Sequence, residues 1–518
     1  MSWQRELDEF NFIKEQAKKM GGSEGIARQH RRGKLTVRER LDLLVDPGSF
    51  EELKVCYGTE EFDEHGNVVS FYPGNTVAGY GNINDRPVCI RGDDFSIMGG
   101  SSDPMGRAKD HFIEPRAFDR RVPMIRLLDG AGGSVREVAH GAAQPPRDQR
   151  ARGAFSDSEF MAHVPLISAV LGSCAGWIAI AAATSTWSIM TKKSSELFVA
   201  GPPLIKRALS IDLPKQELGN WKVHVCQTGV INNVGEDEED VFRQIRDFLS
   251  YLPQNVWKLP PHIETDDSPD RRDEEMLSVI PRGRGKTYDI RRLIKHVVDK
   301  DSEFEVSPLF GSALVTMLAR MDGYPVALMA NDCRQEGGAM TADACDKMER
   351  FVDLVDTFHL PIIYLVDVPG FMLGPESEKQ QTLKKASRAN IAVHQATVPF
   401  ASVITRRFYG VAASGAKRGP GLNVTYGWPS AESGSLPAAG GAMAAYRKEI
   451  DAAADPKKKL IEIEDRLNRL SLVAHRPDAV DEVIDPRDTR PILCRFVKEA
   501  QEINATQLGP KRRLGLRP

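Results

Sequence analysis

Short apolar runs alternate with longer segments of helical periodicity along this chain. Residues 87–90 and 325–329 are apolar throughout, which predicts buried strands. Each run leads to a Gly-Gly pair and then to a segment with apolar residues at steps of three and four, namely residues 107–119 and 342–358. Because apolar strands alternate with helices, the pattern predicts an α/β layered fold with mostly parallel strands.

Four motifs of the first half of the chain recur in the second half in the same order. Three pairs are 238 residues apart and the fourth pair is 234 apart, which corresponds to one four-residue insertion or deletion. Such self-similarity predicts an internal duplication, with tandem domains at 1–255 and 256–518. The segment 252–287, rich in proline and charge, is then expected to be a surface linker. The paired motifs are 86–94 with 324–332, 99–100 with 337–338, 122–129 with 360–367, and 164–176 with 398–410.

One uncharged segment, residues 164–191, is long enough to cross a bilayer as a helix. It contains Pro165, Gly172 and Gly176 among many small and hydroxylated residues. Its counterpart in the repeat, residues 398–410, carries charge. We therefore expect a buried strand, turn and helix here, and no association with a membrane.

The composition of the 518 residues is that of a globular protein, with 41% apolar and 27% charged residues. The net charge is −3, which gives no indication of nucleic-acid binding. The seven cysteines are odd in number and include no CxxC pair, which argues against a disulfide scaffold and a structural zinc site. The first residues lack the apolar core of a secretory signal, so a cytoplasmic location is expected.

Glycine-containing turns follow the predicted strands of both halves. In open α/β sheets, ligands bind beyond the carboxyl ends of the strands, and glycine lets a ligand approach the backbone closely. Two turns that each open a helix would form an oxyanion hole of backbone amides, suited to a thioester enolate. The alternative is that these glycines only permit tight turns and close packing. The turns are residues 98–100, 129–133 and 174–177 in the first half, and 336–338, 367–371 and 409–412 in the second.

The chain contains neither a metal-ligand motif nor a serine-hydrolase nucleophile elbow. Its histidines show no HExxH or other ligand spacing, so no metal is expected. Its one G-x-S-x-G match, residues 21–25, does not follow an apolar strand as a nucleophile elbow does, so serine-hydrolase chemistry has no support. A crotonase-type hydratase or isomerase would need paired glutamates at the turns, and the turns contain no such pair.

Several of these segments resemble one enzyme family. Residues 29–44 (QHRRGKLTVRERLDLL), residues 351–371 ending in DVPGF, and the turn that begins at Cys174 are similar to motifs of the carboxyltransferase subunit of biotin-dependent acyl-CoA carboxylases, the propionyl-CoA carboxylase β-chain type. The resemblance extends from about residue 29 to the C-terminus. It implies two tandem crotonase-like domains, each a ββα superhelix, which agrees with the duplication.

The resemblance also implies a reaction. In this family a carboxyl group passes from N1 of carboxybiotin to the α-carbon of an acyl-CoA. CO2 is released in the site, the freed biotin nitrogen takes the α-proton, and the enolate attacks CO2. Backbone oxyanion holes stabilise the charge without a metal or a side-chain base. The implied catalytic amides are those of Gly176, Trp177, Val411 and Ala412.

The first domain is implied to bind acyl-CoA, and the second domain of another copy is implied to bind biotin. Because the chain has no A-M-K-M biotinylation site and no ATP-grasp loop, biotin is expected on a separate biotin carboxylase and biotin-carrier (α) subunit. The family's obligatory dimers assemble into hexamers, so a trimer of dimers is expected. The implied ligand residues are Gly99, Gly100, Gly132 and Gly133 for CoA, and Gly337, Gly338, Gly370, Phe371 and Gly410 for biotin.

Two residues depart from the family pattern at the implied site. Trp177 stands where the family usually has the second glycine of C-A-G-G, and Ser414 matches an aspartate that helps to select short acyl groups. Both are therefore expected to affect specificity, and a propionyl preference is not assumed. Two alternatives stay open: the carboxyltransferase subunit of a biotin-dependent acyl-CoA decarboxylase, and a non-catalytic assembly subunit of the same fold.

Overall fold

The computed structural model describes residues 2–133, 157–283, 285–416, 421–475 and 479–511. These residues fold into two compact units, which are called unit 1 and unit 2 below. Unit 1 comprises the chain up to Ser250, together with Gln254–Val256 and the described residues from Pro510 onward. Unit 2 comprises Tyr251–Pro253 and Trp257–Gly509.

The described part of unit 1 contains a seven-stranded sheet and two short strand pairs. Its strands are β1 (Glu51–Leu53), β2 (Gly58–Phe62), β3 (Val68–Pro73), β4 (Thr76–Ile83), β5 (Arg86–Asp93), β6 (Met124–Leu128), β7 (Leu166–Val170), β8 (Ser173–Ala175), β9 (Trp187–Thr191), β10 (Glu196–Phe198) and β11 (Asn233–Gly235). The main sheet has the order β1-β4-β5-β6-β7-β9-β11, antiparallel from β1 to β5 and parallel from β5 to β11.

The helices of unit 1 lie between these strands in the chain. They are α1 (Gln4–Lys18), α2 (Gly22–Arg31), α3 (Val37–Leu44), α4 (Pro104–Arg120), α5 (Asp157–Met161), α6 (Trp177–Ala183), α7 (Pro202–Leu209), α8 (Lys215–Gly219) and α9 (Glu238–Tyr251), with a 3-10 turn at Met98–Gly100 and a π-helical turn at Lys222–Gln227. Outside the main sheet, β8 pairs with β10 in parallel and β2 pairs with β3 in antiparallel orientation.

Unit 2 repeats this plan. Among its described residues, the strands are β12 (Phe304–Glu305), β13 (Leu314–Met321), β14 (Tyr324–Asn331), β15 (Ile362–Val368), β16 (Phe400–Tyr409), β17 (Asn423–Gly427), β18 (Glu432–Gly434) and β19 (Glu482–Val483). The order is β12-β13-β14-β15-β16-β17-β19, with β18 paired to the end of β16. The sheet is antiparallel from β12 to β14 and parallel from β14 to β19.

The helices of unit 2 include a long hairpin near its C-terminal end. They are α10 (Ile290–Val297), α11 (Ala342–Thr357), α12 (Pro375–Lys379), α13 (Thr382–Gln395), α14 (Ala438–Asp451), α15 (Pro456–Ser471) and α16 (Thr489–Ala505), with 3-10 turns at Glu274–Leu277, Glu336–Gly338, Val411–Ala416, Val473–His475 and Pro486–Asp488.

Backbone conformations repeat between the units at the spacing found in the sequence. Residues 98–100 and 336–338 all have positive φ, and Gly176 and Gly410 have φ of 64° and 63°. Because this left-handed region is costly for residues other than glycine, its recurrence at the same spacing means that the turns themselves are duplicated. The prediction of an α/β fold with an internal duplication is confirmed.

The helices that follow the two Gly-Gly turns begin at matching capping residues. The Asp103 side chain accepts a hydrogen bond from Gly106 N (2.8 Å), and Thr341 Oγ1 accepts one from Ala344 N (3.1 Å). Such caps satisfy an amide that has no partner within the helix. The cap of α11 therefore sets its start, and α11 ends one residue before the end predicted from the apolar spacing.

Two segments were ambiguous in the sequence. The uncharged segment 164–191 contains β7, β8, α6 and β9, and no helix of the described chain is long and apolar enough to cross a membrane. The expectation of a surface linker at 252–287 was wrong at its start, where four of residues 252–256 are buried, and at Met276, whereas most of the described residues from 258 to 287 are exposed or half-buried. Met276 is 3% exposed and packs in the hydrophobic core of unit 2 with Ile290 and Leu293. Residue 284 of this segment lies outside the described residues.

Candidate active site

The predicted glycine turns of unit 1 lie against one another beyond the carboxyl ends of the parallel strands. Ala131 N donates to Gly99 O (3.2 Å), and Ala175 N donates to Gly130 O (3.2 Å). A further parallel bridge joins Ser101 to Gly132. The structure therefore brings together three segments that are widely separated in sequence and that the sequence marked only by their glycines.

The glycines of unit 1 differ in what they are needed for. A Cβ atom at Gly100 would lie 2.4 Å from Asp129 O, and one at Gly132 would lie 2.6 Å from a backbone oxygen of the next turn. These two glycines are required for close packing of the turns. A Cβ at Gly133 would meet nothing within 4 Å, and one at Gly99 would meet only Phe95 at 3.8 Å. Among the described residues, open space is thus found beside Gly99 and Gly133.

The turn at Gly176 places the start of α6 at this edge. Gly176 N donates to Phe198 O (3.3 Å), so this amide already has an acceptor. The role of Gly176 in this turn is therefore its positive φ of 64°, and its N–H is already used within the protein. Trp177 begins α6 and is 65% exposed. The N–H of the next residue, Ile178, has no acceptor among the described residues.

A buried carboxylate supports the same turns from beneath. Asp129, at the end of β6, is fully buried and accepts hydrogen bonds from Lys34 Nζ (2.7 Å) and Arg40 Nη1 (3.1 Å). Arg40 is also paired with Glu238 through Nε (2.7 Å). Burial lowers the pKa of Lys34, although the Asp129 carboxylate opposes that shift. The charges compensate one another, as a buried ionic group requires.

The segment 29–44 supplies these cations. Thr36 and Glu39 form a reciprocal capping box that starts α3, and Arg40 lies in the first turn of that helix. Gln29, just before it, donates from Nε2 to Asp129 (3.2 Å). The motif that resembles the family thus anchors the second glycine turn. Sequence reasoning missed this role because no local pattern indicates a contact across about 100 residues.

The glycine turns of unit 2 are joined in the same way. Met340 N donates to Gly370 O (3.0 Å), and Met340 forms a parallel bridge with Phe371. A Cβ at Gly338 would lie 2.9 Å from Asp367 O, whereas one at Gly337 or Gly370 would meet nothing within 4 Å. Close packing therefore requires Gly338, and open space lies beside the other two glycines.

Asp367 is the counterpart of Asp129 in unit 2. It is fully buried and accepts hydrogen bonds from Arg406 Nη2 (2.8 Å), Arg407 Nε (2.6 Å) and the Tyr288 hydroxyl (3.1 Å). Burial raises the pKa of this carboxyl, but the hydrogen bonds and charges of Arg407 and Arg406 outweigh it and hold the pKa below its ordinary value. In unit 2 the cations lie on the neighbouring strand β16, whereas in unit 1 they come from the N-terminal segment 29–44.

Two backbone amides at the turn that follows β16 have no acceptor within the part of the chain that the structure describes. Gly410 N donates to Gly434 O (3.1 Å), as Gly176 does in unit 1. The N–H groups of Val411 and Ala412 make no hydrogen bond to any described residue. The hydroxyl of Ser414 donates back to Val411 O (2.6 Å) and so stabilises this turn. The geometry provides two adjacent donors beside an exposed residue, since Val411 is 71% exposed.

The repeat relates the turn at Gly410 to the turn at Gly176. At the spacing of 234, Gly410 corresponds to Gly176, Val411 to Trp177, and Ala412 to Ile178. The residues of unit 1 that correspond to Val411 and Ala412 are therefore Trp177 and Ile178, whereas the sequence predicted Gly176 and Trp177. The repeat spacing alone would have indicated this. The described residues contain no cluster of three or more His, Cys, Asp or Glu side chains that could hold a metal ion.

Known proteins resemble this chain over nearly its whole length. Residues 28–514 match the carboxyl transferase domain. The chain is 33% identical over 500 residues to the propionyl-CoA carboxylase carboxyltransferase subunit of Haloferax mediterranei, which covers 95% of both chains. It is 32% identical over 480 residues to the methylmalonyl-CoA decarboxylase subunit alpha of Veillonella parvula, which covers 91% of both chains.

A solved structure has the same fold. The transcarboxylase 12S crystal structure, a hexamer assembly with methylmalonyl-coenzyme A and methylmalonic acid bound, superposes with a TM-score of 0.87 at 29% identity and covers 99% of this chain and 97% of that chain. The two crotonase-like sheet units, the duplicated turns and these matches agree. The chain therefore belongs to the carboxyl transferase family and is a carboxyl-transferring enzyme, a carboxyltransferase subunit of the biotin-dependent acyl-CoA carboxylase type.

Proposed function

We propose that this chain transfers a carboxyl group from carboxybiotin to the α-carbon of an acyl-CoA, with unit 1 binding acyl-CoA and unit 2 binding biotin. Units 1 and 2 would then be the two domains expected at 1–255 and 256–518. The observation that carries the proposal is the pair of adjacent amides at Val411 and Ala412, which have no acceptor within the described chain. The duplication places Trp177 and Ile178 at the corresponding positions of unit 1.

The chemistry needs donors at the point where negative charge develops. Removal of the α-proton of a thioester places charge on the thioester oxygen, and preorganised N–H groups stabilise that oxygen without a charged side chain. In unit 1 the amides of Trp177 and Ile178 would hold this oxygen, and the open space beside Gly99 and Gly133 would admit the CoA. Carboxybiotin, when bound, supplies the carboxyl group.

In unit 2 the residues fit a polar, uncharged ring system. Val411 and Ala412 would donate to the ureido oxygen of biotin, and the open space beside Gly337 and Gly370 would admit its ring. Phe371 would cover the ring from the adjacent strand end. Fixing the ureido oxygen in this way would orient the ring nitrogen that carries the carboxyl group and that takes the α-proton after the carboxyl group has left.

The assembly is also part of the proposal. We expect a homo-oligomer, a hexamer built as a trimer of dimers, which works with a separate biotin carboxylase and biotin-carrier subunit in the cytoplasm. The similarity to the hexameric transcarboxylase 12S supports the hexamer. The similarity to the decarboxylase subunit of Veillonella parvula supports a second candidate, the same transfer in the opposite direction.

The test is transcarboxylation without ATP. The purified chain is mixed with free biotin and a panel of carboxylated CoA thioesters, and loss of each thioester is followed by mass spectrometry. Val411→Pro removes one N–H while keeping a helical φ, and Val411→Ala is the matched control that keeps the N–H. We expect turnover on at least one thioester, a loss of about 100-fold in Val411→Pro, and little change in Val411→Ala.

The outcomes separate the candidates. Equal activity in the two Val411 variants would contradict the assigned role of this amide. No turnover on any thioester, with CoA bound and the fold intact, would favour the non-catalytic assembly subunit. Because a catalyst accelerates the transfer in both directions, the direction is read from the partner that co-purifies with the chain: a biotin carboxylase subunit would support carboxylation, and a membrane-spanning subunit would support decarboxylation.

A further inference from the structure

A buried ionic network in unit 1 ends at the helix that carries the proposed oxyanion amides. We infer that Arg126 is a positioning residue for the acyl-CoA site, an inference that rests on the function proposed above. Arg126 lies in β6 and its side chain is 3% exposed. It touches neither of the proposed ligands and would act through helix α6.

The guanidinium of Arg126 connects three separate helices. Its Nε donates to Glu114 on α4 (2.8 Å), and its Nη2 donates to Asp157 at the start of α5 (2.8 Å). Its Nη1 donates to Ala181 O in the last turn of α6 (3.4 Å). A planar guanidinium with several donors can hold three acceptors in fixed directions, which a single ammonium group cannot do.

The end of α6 is held by more than this one contact. Ala181 O also accepts from Ser168 Oγ (3.3 Å) and Ser185 Oγ (3.1 Å). The hydroxyl of Thr184, the residue that caps α6, donates to the second carboxylate oxygen of Asp157 (2.7 Å). The last carbonyls of a helix have no partner within it, and a cation there also interacts favourably with the helix dipole. Arg126 and its carboxylate partner therefore fix this end.

Fixing one end of α6 fixes the other, because the helix has only seven residues. At about 1.5 Å per residue it is roughly 10 Å long, so a displacement at Ala181 reaches the first turn almost undiminished. The first turn is otherwise tied to the neighbouring strand by the contact from Gly176 N to Phe198 O. The amides at 177 and 178 thus lie between two fixed points.

A comparison with unit 2 shows which of the contacts at the end of α6 are specific to unit 1. Ser402 corresponds to Ser168 at the 234 spacing, and its hydroxyl likewise donates to a carbonyl at the end of the following helical turn, Ala416 O. Arg126, however, corresponds to Tyr364 at the 238 spacing, and the Tyr364 hydroxyl donates to Asn331 Oδ1 (3.0 Å). The guanidinium link to the helix end is found only in unit 1 among the described residues.

The test compares Arg126→Met, Arg126→Lys and the control Tyr364→Phe in the full chain. The readouts are kcat and KM for the thioester that wild type turns over, thermal unfolding, and hydrogen exchange of residues 177–183. Oxyanion donors act on charge present only in the transition state, so Arg126→Met is expected to lower kcat by about 10- to 100-fold with KM changed less than about threefold. Arg126→Lys should restore part of this loss, since it retains a cation. Tyr364→Phe should lower stability without lowering kcat.

Hydrogen exchange keeps the inference testable whatever the substrate. Arg126→Met should accelerate exchange in α6 by about tenfold or more, and Tyr364→Phe should leave it unchanged. If wild type is inactive on every thioester but α6 exchange rises as expected, the proposed function has failed while the positioning role stands. A folded Arg126→Met enzyme with wild-type kcat, or unchanged exchange in α6, would overturn the inference.

Discussion

Units 1 and 2 share their backbone turns but differ in the layer between sheet and helix. In unit 1 this layer is ionic: Arg91 contacts Asp110 (3.2 Å) and Glu114 (3.4 Å), and Glu114 also binds the arginine of the neighbouring strand. In unit 2 the equivalent layer is apolar and buried. At the 238 spacing, Arg91, Asp110, Glu114 and Arg126 correspond to Met329, Met348, Val352 and Tyr364.

The difference teaches that a duplicated backbone does not dictate how its interior is stabilised. An apolar layer tolerates substitutions of similar volume, whereas removing a cation from a buried ion network leaves its carboxylates without a compensating charge. The hydrogen bonds of the network are directional, so each one also fixes the orientation of the two side chains that it joins. In unit 1 the network connects α4, α5 and α6. In unit 2 the corresponding helices α11 and α13 are joined by ion pairs between partly exposed side chains, Lys385–Asp346 (2.7 Å) and Arg388–Glu349 (3.0 Å). Three predictions sharpen this contrast.

The largest effect is expected from removing the central cation of unit 1. Arg91→Met inserts the residue found at the equivalent position of unit 2, but leaves Asp93, Asp110 and Glu114 without it. Breaking a buried pair by removing one partner costs about 3–5 kcal/mol. The matched change in unit 2, Met329→Leu, should cost less than about 1.5 kcal/mol. Denaturant unfolding of both variants checks this, and equal losses would show that the ionic layer is no more demanding than the apolar one.

An intermediate effect is expected from a buried lysine in unit 2. Lys347 on α11 is 5% exposed, and its Nζ has no hydrogen-bond partner among the described residues. Burial lowers the pKa of Lys347 to about 7. Because the pKa in the folded state lies below the ordinary 10.5, the unfolded state binds the extra proton between about pH 7 and 10.5, and stability rises with pH across that window.

Lys347→Met should therefore stabilise the chain at pH 7 by about 1–3 kcal/mol and flatten this pH dependence. Lys109 occupies the same position in unit 1, and burial lowers its pKa also. Lys109→Met is thus the matched comparison. Thermal unfolding between pH 6 and pH 10 measures both variants, and a lower melting temperature for Lys347→Met at pH 7 would contradict the prediction.

The smallest effect is expected at Asp110, whose side chain retains 24% exposure. Burial raises the pKa of Asp110 to about 7, although Arg91 opposes the shift. The folded state then keeps a proton that the unfolded state loses above about pH 4, so stability falls as pH rises from about 4 to 7. Asp110→Asn removes this dependence and should raise stability at pH 8 by about 1 kcal/mol or less. Unfolding curves at pH 5 and pH 8 test it, and an unchanged pH slope would speak against a role for this carboxyl.

The elements and their order followed closely from the apolar pattern. The strand predicted at 325–329 lies within β14, and the helix predicted at 342–358 is α11. A short apolar run bounded by turn residues favours a buried strand, and apolar residues at steps of three and four favour a helix. The segment 252–287 met the expectation of a surface linker only in part. Its proline and charge indicate irregular backbone, but they do not indicate whether that backbone packs on a core, as Met276 does.

The sequence predicted the glycine turns as sets. The tertiary structure was needed to distinguish the glycines that close packing requires from those that face open space. Gly100 and Gly338 face a backbone oxygen of the next turn, whereas Gly133 and Gly337 face open space, and nothing in a Gly-Gly pair distinguishes these cases. Likewise, the acceptor of Gly176 N comes from β10, a strand that the sequence did not reveal.

The sequence by itself determined the α/β class, the duplication, the positions of the turns and the family, because each of these depends on local period, fixed spacing or short motifs. Tertiary structure alone decided which amides keep an open hydrogen-bond position, which cations neutralise Asp129, and that Arg126 holds the end of α6. These features depend on atoms that approach within about 3 Å from distant parts of the chain. Such contacts leave no periodic trace in the residues that make them.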